Sequence, residues 1–416
     1  MMLKLYRENK EFNRYSCYNA LTGELVPTDE EYFVNHQRQL PFFDGRNTKT
    51  HTNFPRRIYF QITRNCNLKC GYCFLKAGSN GTHLDAEVIF RLAEYFDKKG
   101  LMEVRLTGGE PTIHPDFQPI YEKFQKIHIF VSVATNGVWT KSTLDFLSGR
   151  EHAWIIASID GDRDIHNTYR NNSYDTVIKN LNELKKRNPN ARLRINTVLT
   201  KENTGALEHL ARLTAELDAE SITLIPLRPQ VRIPSEKEKM LDSSQFKDAI
   251  ERMVRYKETY GINFTTTIET RFKDDIMPDK IFTKKSSCAA GREGTNLDFD
   301  STRKKLIMYA CSYCPASDLL EKEHLRRPFL AGEFDYGSIE EFGKIWDDDD
   351  KWTLFRDQRL KSDNCRGCEE LGTRCTGSCP IQNVDLSKIR DCESAKQDIM
   401  DRMRKNAEWY CYKNVE

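Results

Sequence analysis

Three cysteines lie close together in the segment TRNCNLKCGYCFLKAG (63–78), at Cys66, Cys70 and Cys73. Thiolates are soft ligands that favour zinc, copper(I) and iron–sulfur clusters. A structural zinc site takes four protein ligands, and a [4Fe-4S] cluster usually takes one cysteine for each iron. The loop contains three cysteines and no histidine. A cluster held here would therefore leave one iron open to a small molecule; a zinc-binding or disordered cysteine-rich loop is the alternative.

A second group of cysteines lies towards the end of the chain. Its members are Cys288, Cys311, Cys314, Cys365, Cys368, Cys375, Cys379 and Cys392. The total of 13 cysteines is odd. In a reducing cytosol such a group is better explained by metal binding than by disulfides. Cys17 and Cys411 stand apart from both groups, and we expect them to be packed or surface thiols.

The elements that must position the first cysteines form a repeating pattern. Strands are predicted at 57–63, 103–107, 127–135, 153–160, 192–200 and 221–227, and helices at 83–100, 116–127, 141–149, 173–187, 205–217 and 243–261. Such alternation predicts a parallel α/β sheet with right-handed crossovers. A closed eight-stranded barrel needs about 250 residues, so six units predict an open, partial (β/α)6 barrel. The cysteine loop follows the first strand, at the sheet edge where such folds carry their chemistry.

The length and composition predict several domains in a protein without a membrane or nucleic-acid partner. The chain has 416 residues, 38% hydrophobic and 30% charged, with a net charge of +2. We find no signal peptide and no apolar run of about 18 residues, so a cytoplasmic location is expected. The predicted domains are an extension at 1–56 with a hairpin and a short helix from Thr28, a barrel at 57–280, and a metal-held, cysteine-rich domain with a C-terminal helix at 281–416.

The spacing Cys66-x3-Cys70-x2-Cys73, with an aromatic residue before the last cysteine, resembles the signature of radical S-adenosylmethionine (SAM) enzymes. The resemblance implies a [4Fe-4S] cluster whose open iron is chelated by the amino and carboxylate groups of SAM. The segment LTGGEP (106–111) resembles the glycine-rich element of this family, which receives the methionine ammonium. Gly108 and Gly109 permit close backbone approach, and Glu110 supplies an anion. Taken alone, this segment could be an ordinary turn.

The same resemblance implies further contacts with SAM. Tyr72 is placed to touch the adenine, and Leu227 to pack against it. Asn136 and Ser158 end the third and fourth strands, the latter near the expected ribose or carboxylate. Arg170 resembles the arginine that pairs with the carboxylate of SAM. The alternative for each residue is an ordinary structural role.

The later cysteines resemble the SPASM extension of this family, which binds two auxiliary [4Fe-4S] clusters. The family pattern assigns Cys365, Cys368, Cys375 and Cys392 to one cluster, and Cys288, Cys311 and Cys379 to the other, closer to the barrel. Six residues separate Cys368 from Cys375, where five are commoner. Zinc would also suit the paired Cys-x2-Cys spacing. Cys314 is an additional thiol: a fourth ligand of the nearer cluster, which we favour, a catalytic thiol or an inert neighbour.

The resemblance implies an enzyme with three [4Fe-4S] clusters that receives electrons from a donor such as flavodoxin or ferredoxin. Reductive cleavage of SAM would give a 5′-deoxyadenosyl radical that removes a hydrogen from the substrate. SPASM relatives act mostly on peptides, so we predict maturation of a ribosomal precursor peptide through a C–C or thioether crosslink. The alternatives are formylglycine formation on sulfatases, oxidation of a sugar or aminoglycoside, and a non-enzymatic electron carrier.

Two features bear on these alternatives. Ser312 occupies the position where sulfatase-maturing enzymes carry an aspartate base, which argues against them. The 56 residues before the barrel are fewer than the leader-binding module of many peptide maturases would need. The sequence identifies no catalytic base.

Overall fold

The computed structural model of the protein describes residues 4–9, 14–19, 24–28, 51–73, 75, 77–127, 129–150, 154–227, 238–266, 288–314, 329–357, 360, 379–383 and 392–405. The first three ranges form an antiparallel sheet of β1 (Lys4–Asn9), β2 (Arg14–Asn19) and β3 (Glu24–Thr28). β2 and β3 pair antiparallel, with Tyr15 beside Thr28 and Asn19 beside Glu24, in the part of the chain where a hairpin was predicted. Thr28 ends β3, and the helix predicted after it lies outside the described residues.

A ten-stranded sheet forms the centre of the molecule, with the order β10-β9-β8-β7-β6-β5-β4-β11-β12-β13. Its strands are β4 (Arg57–Thr63), β5 (Glu103–Gly108), β6 (Phe130–Thr135), β7 (Trp154–Ser158), β8 (Arg192–Leu199), β9 (Ser221–Pro226), β10 (Phe264–Thr266), β11 (Gly294–Asp300), β12 (Lys305–Tyr309) and β13 (Leu330–Asp335). Neighbours from β10 to β11 are parallel, whereas β12 and β13 are antiparallel additions. The predicted α/β fold with a parallel sheet is therefore confirmed.

Helices connect these strands and follow the last of them. They are α1 (Ala86–Lys99), α2 (Phe117–Lys126), α3 (Lys141–Ser148), α4 (Arg163–Tyr169), α5 (Tyr174–Arg187), α6 (Leu207–Glu216), α7 (Ser243–Tyr260), α8 (Glu341–Asp347), α9 (Thr353–Arg356) and α10 (Cys392–Lys405). In α1, apolar side chains recur every three or four residues and are buried against the sheet, as an amphipathic helix requires. The short helix α4 was not predicted. Within the described residues, no helix is long and apolar enough to cross a membrane.

The strand β4 shows how the sheet serves both a core and a site. Ile58, Phe60 and Ile62 alternate along it and are buried in the main hydrophobic core. Because side chains alternate between faces, Gln61 and Thr63 point to the opposite face, where they are also buried. Burial on both faces is typical of parallel strands covered by other elements.

The strands after residue 281 extend the barrel sheet. β11 pairs in parallel with β4, from Gly294 beside Arg57 to Leu297 beside Phe60. The proposed domain boundary at 280 thus falls between β10 and β11 of one sheet. The local sequence pattern could not reveal this, because the pairing joins residues more than 230 positions apart.

Candidate active site

The three cysteines of the first group lie on a loop at the carboxyl end of β4. The two ends of the loop are held together by backbone hydrogen bonds, from Cys66 N to Gly78 O (3.0 Å) and from Leu84 N to Ile62 O (2.9 Å). Cys66, Cys70 and Cys73 are all partly buried. The loop therefore presents three thiols at the edge of the sheet predicted to carry the chemistry.

The glycine-rich segment after β5 packs directly against this loop. Gly109 N donates to Thr63 O (2.8 Å), and Glu110 N donates to Asn65 O (2.8 Å). A Cβ atom on Gly109 would lie 2.0 Å from Asn65 O, and one on Gly108 would lie 2.1 Å from Thr63 O. Gly108 also has a φ of +135°, which L side chains rarely adopt. The backbone contact thus requires glycine at both positions.

Glu110 joins this segment to β6. Its carboxylate is buried and accepts hydrogen bonds from Thr112 N (3.2 Å), Thr112 Oγ1 (2.7 Å), Thr135 Oγ1 (2.8 Å) and Asn136 N (2.7 Å). Burial raises the pKa of Glu110, while these donors oppose the rise. The carboxylate is thus engaged by protein donors in addition to the cofactor role that the sequence predicts for it.

Asn136 links the end of β6 to the cysteine loop. Its Nδ2 donates to Asn67 Oδ1 (2.7 Å) and lies 3.8 Å from Cys66 Sγ. Leu68 N also donates to Cys66 Sγ, at 3.4 Å. Such N–H contacts to sulfur are among the features that tune iron–sulfur clusters. Asn136 therefore lies beside a predicted cluster ligand, as a site residue should.

The buried carboxylate of Asp160 binds Tyr72 in the Cys66–Cys73 loop. Asp160 Oδ2 accepts hydrogen bonds from the Tyr72 hydroxyl and from Arg170 Nε. Asp160 Oδ1 accepts from Val198 N at 2.7 Å. Burial raises the pKa of Tyr72, which keeps its hydroxyl protonated as a donor. Arg170, predicted to bind the carboxylate of SAM, is thus already oriented by a protein carboxylate.

An apolar patch adjoins this polar group. Tyr72, Tyr169 and Leu227 form a small buried cluster of their own, separate from the main core. The structure therefore brings together Tyr72 and Leu227, both predicted to contact adenine. Ser158 is half-buried at the end of β7. All the predicted SAM contacts lie at the carboxyl ends of the parallel strands or in the loops that follow them.

Burial favours the protonated form of two thiols of the loop, Cys66 and Cys70. Burial raises the pKa of Cys66 to about 12. Burial also raises the pKa of Cys70, and the positive charge of Arg170 opposes that rise. A metal deprotonates the thiols that coordinate it, so binding here would release protons.

The three cysteines are suited to a cubane cluster, because a cubane takes one thiolate per iron and would keep one iron open. Cys66, Cys70 and Cys73 would hold such a cluster, in the part of the molecule that also contains the predicted SAM contacts.

Two cysteines of the second group, Cys311 and Cys314, lie at the opposite edge of the sheet. Cys311 follows β12, which is antiparallel to β11, and so lies at the amino edge of β4. Its Sγ is 3.8 Å from Cys314 Sγ, and Cys314 is fully buried. Burial raises the pKa of Cys314, and the charges of Cys311 and Cys379 raise it further. These three thiols are therefore neighbours.

The other predicted ligands are less well described. Cys288 is exposed, a few residues before β11. Cys392 begins α10. Cys365, Cys368 and Cys375 lie outside the described residues.

Comparison with known proteins identifies the catalytic domain. Residues 60–214 match the family described as the Radical SAM superfamily. The chain carries a radical SAM domain. This match covers the cysteine loop, the glycine-rich segment and Arg170. The predicted superfamily, one of SAM-dependent enzymes, is confirmed.

Curated relatives resemble parts of this chain. The probable GTP 3′,8-cyclase of Sulfurisphaera tokodaii is 30% identical over 181 residues, which are 40% of this chain and 55% of the cyclase. The mycofactocin maturase MftC of Mycobacterium tuberculosis H37Rv is 26% identical over 182 residues, 43% of this chain and 46% of the maturase. The chain thus spans about half the length of the curated relatives it matches.

Solved structures resemble nearly the whole chain in fold. Streptococcus suis SuiB bound to the precursor peptide SuiA has a TM-score of 0.68 and 18% identity, with 91% of this chain and 94% of SuiB covered. The structure of anSMEcpe with AdoMet and the Kp18Cys peptide has a TM-score of 0.58 and 18% identity, covering 86% of this chain and 95% of anSMEcpe. At these identities the similarity establishes the fold.

Sequence reasoning did not identify Asp160, Asn67 or Thr135. In the sequence, Asp160 is simply the last residue of the fourth predicted strand. The available signal was its position just past a strand end, next to Gly161, in the same segment as Ser158. Its importance depends on Tyr72 and Arg170, which lie far from each other in the sequence.

Proposed function

We propose that this protein is a radical SAM enzyme that abstracts a hydrogen from a peptide and matures it by forming a C–C or thioether crosslink. The observation that carries the radical SAM chemistry is the contact between the glycine-rich segment and the cysteine loop. This contact supports a site in which the three thiols lie beside the residues expected to receive SAM. The matching family supports the same chemistry.

The residues of the chain have separable tasks in this proposal. Cys66, Cys70 and Cys73 would hold the cluster, while Arg170, Tyr72 and Leu227 would orient SAM. When bound, the reduced cluster and SAM supply a one-electron cleavage that yields methionine and a 5′-deoxyadenosyl radical. The electron would come from an external donor such as flavodoxin or ferredoxin. The apolar patch of Tyr72, Tyr169 and Leu227 would exclude water from the adenine end of SAM.

Two comparisons favour a peptide substrate. One relative is named a maturase, and the fold resembles SuiB, whose structure was solved with a precursor peptide. The similarity to SuiB covers 91% of this chain. A nucleotide substrate is the second candidate, because a probable GTP 3′,8-cyclase is 30% identical over 181 residues. That similarity covers a smaller part of the chain.

We further propose that residues 281–416 form a SPASM domain with two auxiliary [4Fe-4S] clusters, of which Cys288, Cys311, Cys314 and Cys379 hold one. The proximity of Cys311, Cys314 and Cys379 supports this assignment. The 3.8 Å between Cys311 Sγ and Cys314 Sγ is about the distance expected for two thiolates on one tetrahedral zinc ion with Zn–S bonds of about 2.3 Å, whereas a cubane binds one thiolate per iron and would require the two sulfur atoms to separate. Metal content therefore has to distinguish the two. Cys365, Cys368, Cys375 and Cys392 would hold the second cluster.

The first experiment measures iron and SAM cleavage. Anaerobically reconstituted wild-type protein should contain about 12 irons per chain, given four per cluster. The Cys66→Ala/Cys70→Ala/Cys73→Ala variant should lose about four irons and all 5′-deoxyadenosine formation with dithionite. A Cys17→Ala/Cys411→Ala variant, which changes the cysteines outside both groups, should behave as wild type. Continued SAM cleavage by the triple variant would refute the proposed site.

The second experiment addresses the substrate. Candidate precursor peptides encoded beside the gene should stimulate SAM cleavage and change mass by the loss of two hydrogens per crosslink. GTP serves as the competing substrate. Turnover of GTP without peptide modification would favour the cyclase alternative instead.

A further inference from the structure

We propose that Asp160 is a positioning residue for SAM binding, which acts by fixing Tyr72 and Arg170 in one arrangement. The inference rests on the proposed binding of SAM at the Cys66–Cys73 loop. It adds a residue that neither the sequence motif nor the family match singles out. The argument starts from the contacts around the carboxylate.

Asp160 is the point at which three separate parts of the chain meet. Its side chain is completely buried. One carboxylate oxygen accepts from Tyr72 in the cysteine loop and from Arg170 just after α4, and the other accepts from Val198 N in β8. Its main-chain oxygen accepts from Asn203 Nδ2 at 2.8 Å. Asp160 is therefore held from several directions and has no freedom to follow a moving partner.

The turn at 169–171 is hydrogen-bonded to the cysteine loop. Gly71 N donates to Tyr169 O at 3.2 Å, and Lys69 N donates to Asn171 Oδ1 at 2.9 Å. Together with the Tyr72 hydroxyl bond to Asp160, these contacts hold the stretch that carries Cys70. The same turn carries Arg170, so one rigid unit sets the position of a cluster ligand and of a cofactor-binding cation.

Asp160 also determines which edge of the Arg170 guanidinium faces the site. The bond to Asp160 uses Nε, one of five N–H donors in a planar fork. The edge between the two Nη atoms presents one N–H from each and can bind a carboxylate in bidentate fashion. The guanidinium carbon also lies 5.4 Å from the centre of the Tyr72 ring. The bond to Nε thus fixes the direction of the Nη edge of Arg170 relative to the ring of Tyr72, which is predicted to contact the adenine.

The test uses reconstituted full-length protein and measures SAM affinity directly. Asp160→Asn keeps the size of the side chain but removes its charge and weakens its bonds to Tyr72 and Arg170. We expect its Kd for SAM to rise about tenfold or more, because a charge-assisted bond that orients the cofactor's partner is lost. Asp164→Asn, an exposed carboxylate on α4, is the matched control and should bind SAM as wild type does.

Two further readouts separate positioning from general stability. Iron content and the EPR spectrum of the reduced cluster without SAM should stay close to wild type in Asp160→Asn, whereas the spectral change caused by SAM should weaken. Tyr72→Phe removes one hydroxyl and no buried charge, and should raise the Kd about threefold. If Tyr72 acts through Asp160, the double variant should bind SAM no more weakly than Asp160→Asn alone.

The outcomes are distinct. Unchanged SAM affinity in Asp160→Asn, or strictly additive effects in the double variant, would overturn the inference. If Asp160→Asn does not retain its cluster, Tyr72→Phe decides the outcome. Unchanged SAM affinity in Tyr72→Phe would overturn the inference, and weakened SAM affinity would support it. Wild-type protein that holds its cluster but does not bind SAM would refute the proposed function itself, and this inference with it.

Discussion

The two cysteine regions differ in how the protein holds them. At the carboxyl edge of β4, Gly109 binds the backbone just before the Cys66–Cys73 loop, Asn136 binds the side chain of Asn67 within it, and the turn at 169–171 binds its backbone. At the amino edge, Cys311 and Cys314 lie in a single turn after β12 with their sulfur atoms 3.8 Å apart. β4 has seven residues, so the two regions are separated by about 20 Å along the strand direction.

This difference indicates different tasks. A site that must admit a cofactor needs neighbours that are fixed independently of the metal, and the first region has them on both sides. The second region places Cys314 in complete burial beside two other cysteines. A metal site closed by these thiols, as we propose, would transfer electrons or stabilise the fold and would present no open coordination position. Two side-chain contacts join this part of the chain to the neighbouring strand β11: Gln61 contacts Asn296, and Arg64 contacts Asp298.

The largest expected effect comes from breaking the backbone contact of the first region. Gly109→Ala would place a Cβ atom 2.0 Å from Asn65 O, so the loop must move. We expect loss of SAM cleavage and of about four irons, those of the cluster at Cys66–Cys73. Gly78→Ala, in the same loop but with open space around its added Cβ, should retain both. Normal cleavage by Gly109→Ala would mean that the contact does not support the site.

The next test compares thiol reactivity in the metal-free chain. Burial raises the pKa of Cys66 to about 12, whereas Cys288 is exposed. Since the thiolate is the reactive form, Cys66 should be alkylated by iodoacetamide at pH 8 about a hundredfold or more slowly than Cys288. Mass spectrometry of the labelled peptides gives both rates. Equal rates would contradict the burial of the first region.

A third test concerns the pH sensitivity of the support around the first region. His166 Nδ1 accepts from Asp160 N, and burial lowers the pKa of His166 to about 4. Its contribution to stability is therefore present above the unfolded pKa near 6.5 and is lost as the pH falls towards 4. The titration of His166 should therefore lower the free energy of unfolding by about 2 kcal/mol between pH 7 and pH 5.

Urea unfolding of the metal-free chain at the two pH values measures this loss. The variant His166→Gln cannot titrate and should show a flatter dependence over the same interval. Identical pH dependence in the two proteins would show that His166 does not carry the effect.

The smallest effect is expected at the second region. Cys314→Ala should reduce its metal content and lower product formation several-fold, while SAM cleavage changes little. Ser312→Ala, in the same turn, is the matched control. Loss of iron would identify a cluster, and loss of stoichiometric zinc would identify a single-ion site. Unchanged metal content with normal turnover would leave Cys314 a bystander.

Much of the barrel could be predicted from local patterns. The first predicted strand matches β4 at both ends, and the other five agree with β5–β9 to within a few residues. Alternating strands and helices leave few possible topologies, which is why the parallel order could be predicted. Helix α4 was missed because its seven residues are too few to show a clear periodicity.

The addition of β11 to β4 was also beyond the local patterns, since it depends on pairing between distant segments. For the same reason, the contacts of Glu110 with Thr135 and of Asp160 with Arg170 became visible only in the folded chain.

The sequence by itself determined the chemistry that this protein is equipped for. Residue type and spacing decide which metals three thiols can bind, and the spacing within a loop is a local property of the chain. Only the tertiary structure decided which residues control that site, because burial and hydrogen-bond partners depend on segments that meet in space. Asp160 shows the distinction: in the sequence it is one of many carboxylates, whereas in the folded protein it joins Tyr72, Arg170 and Val198.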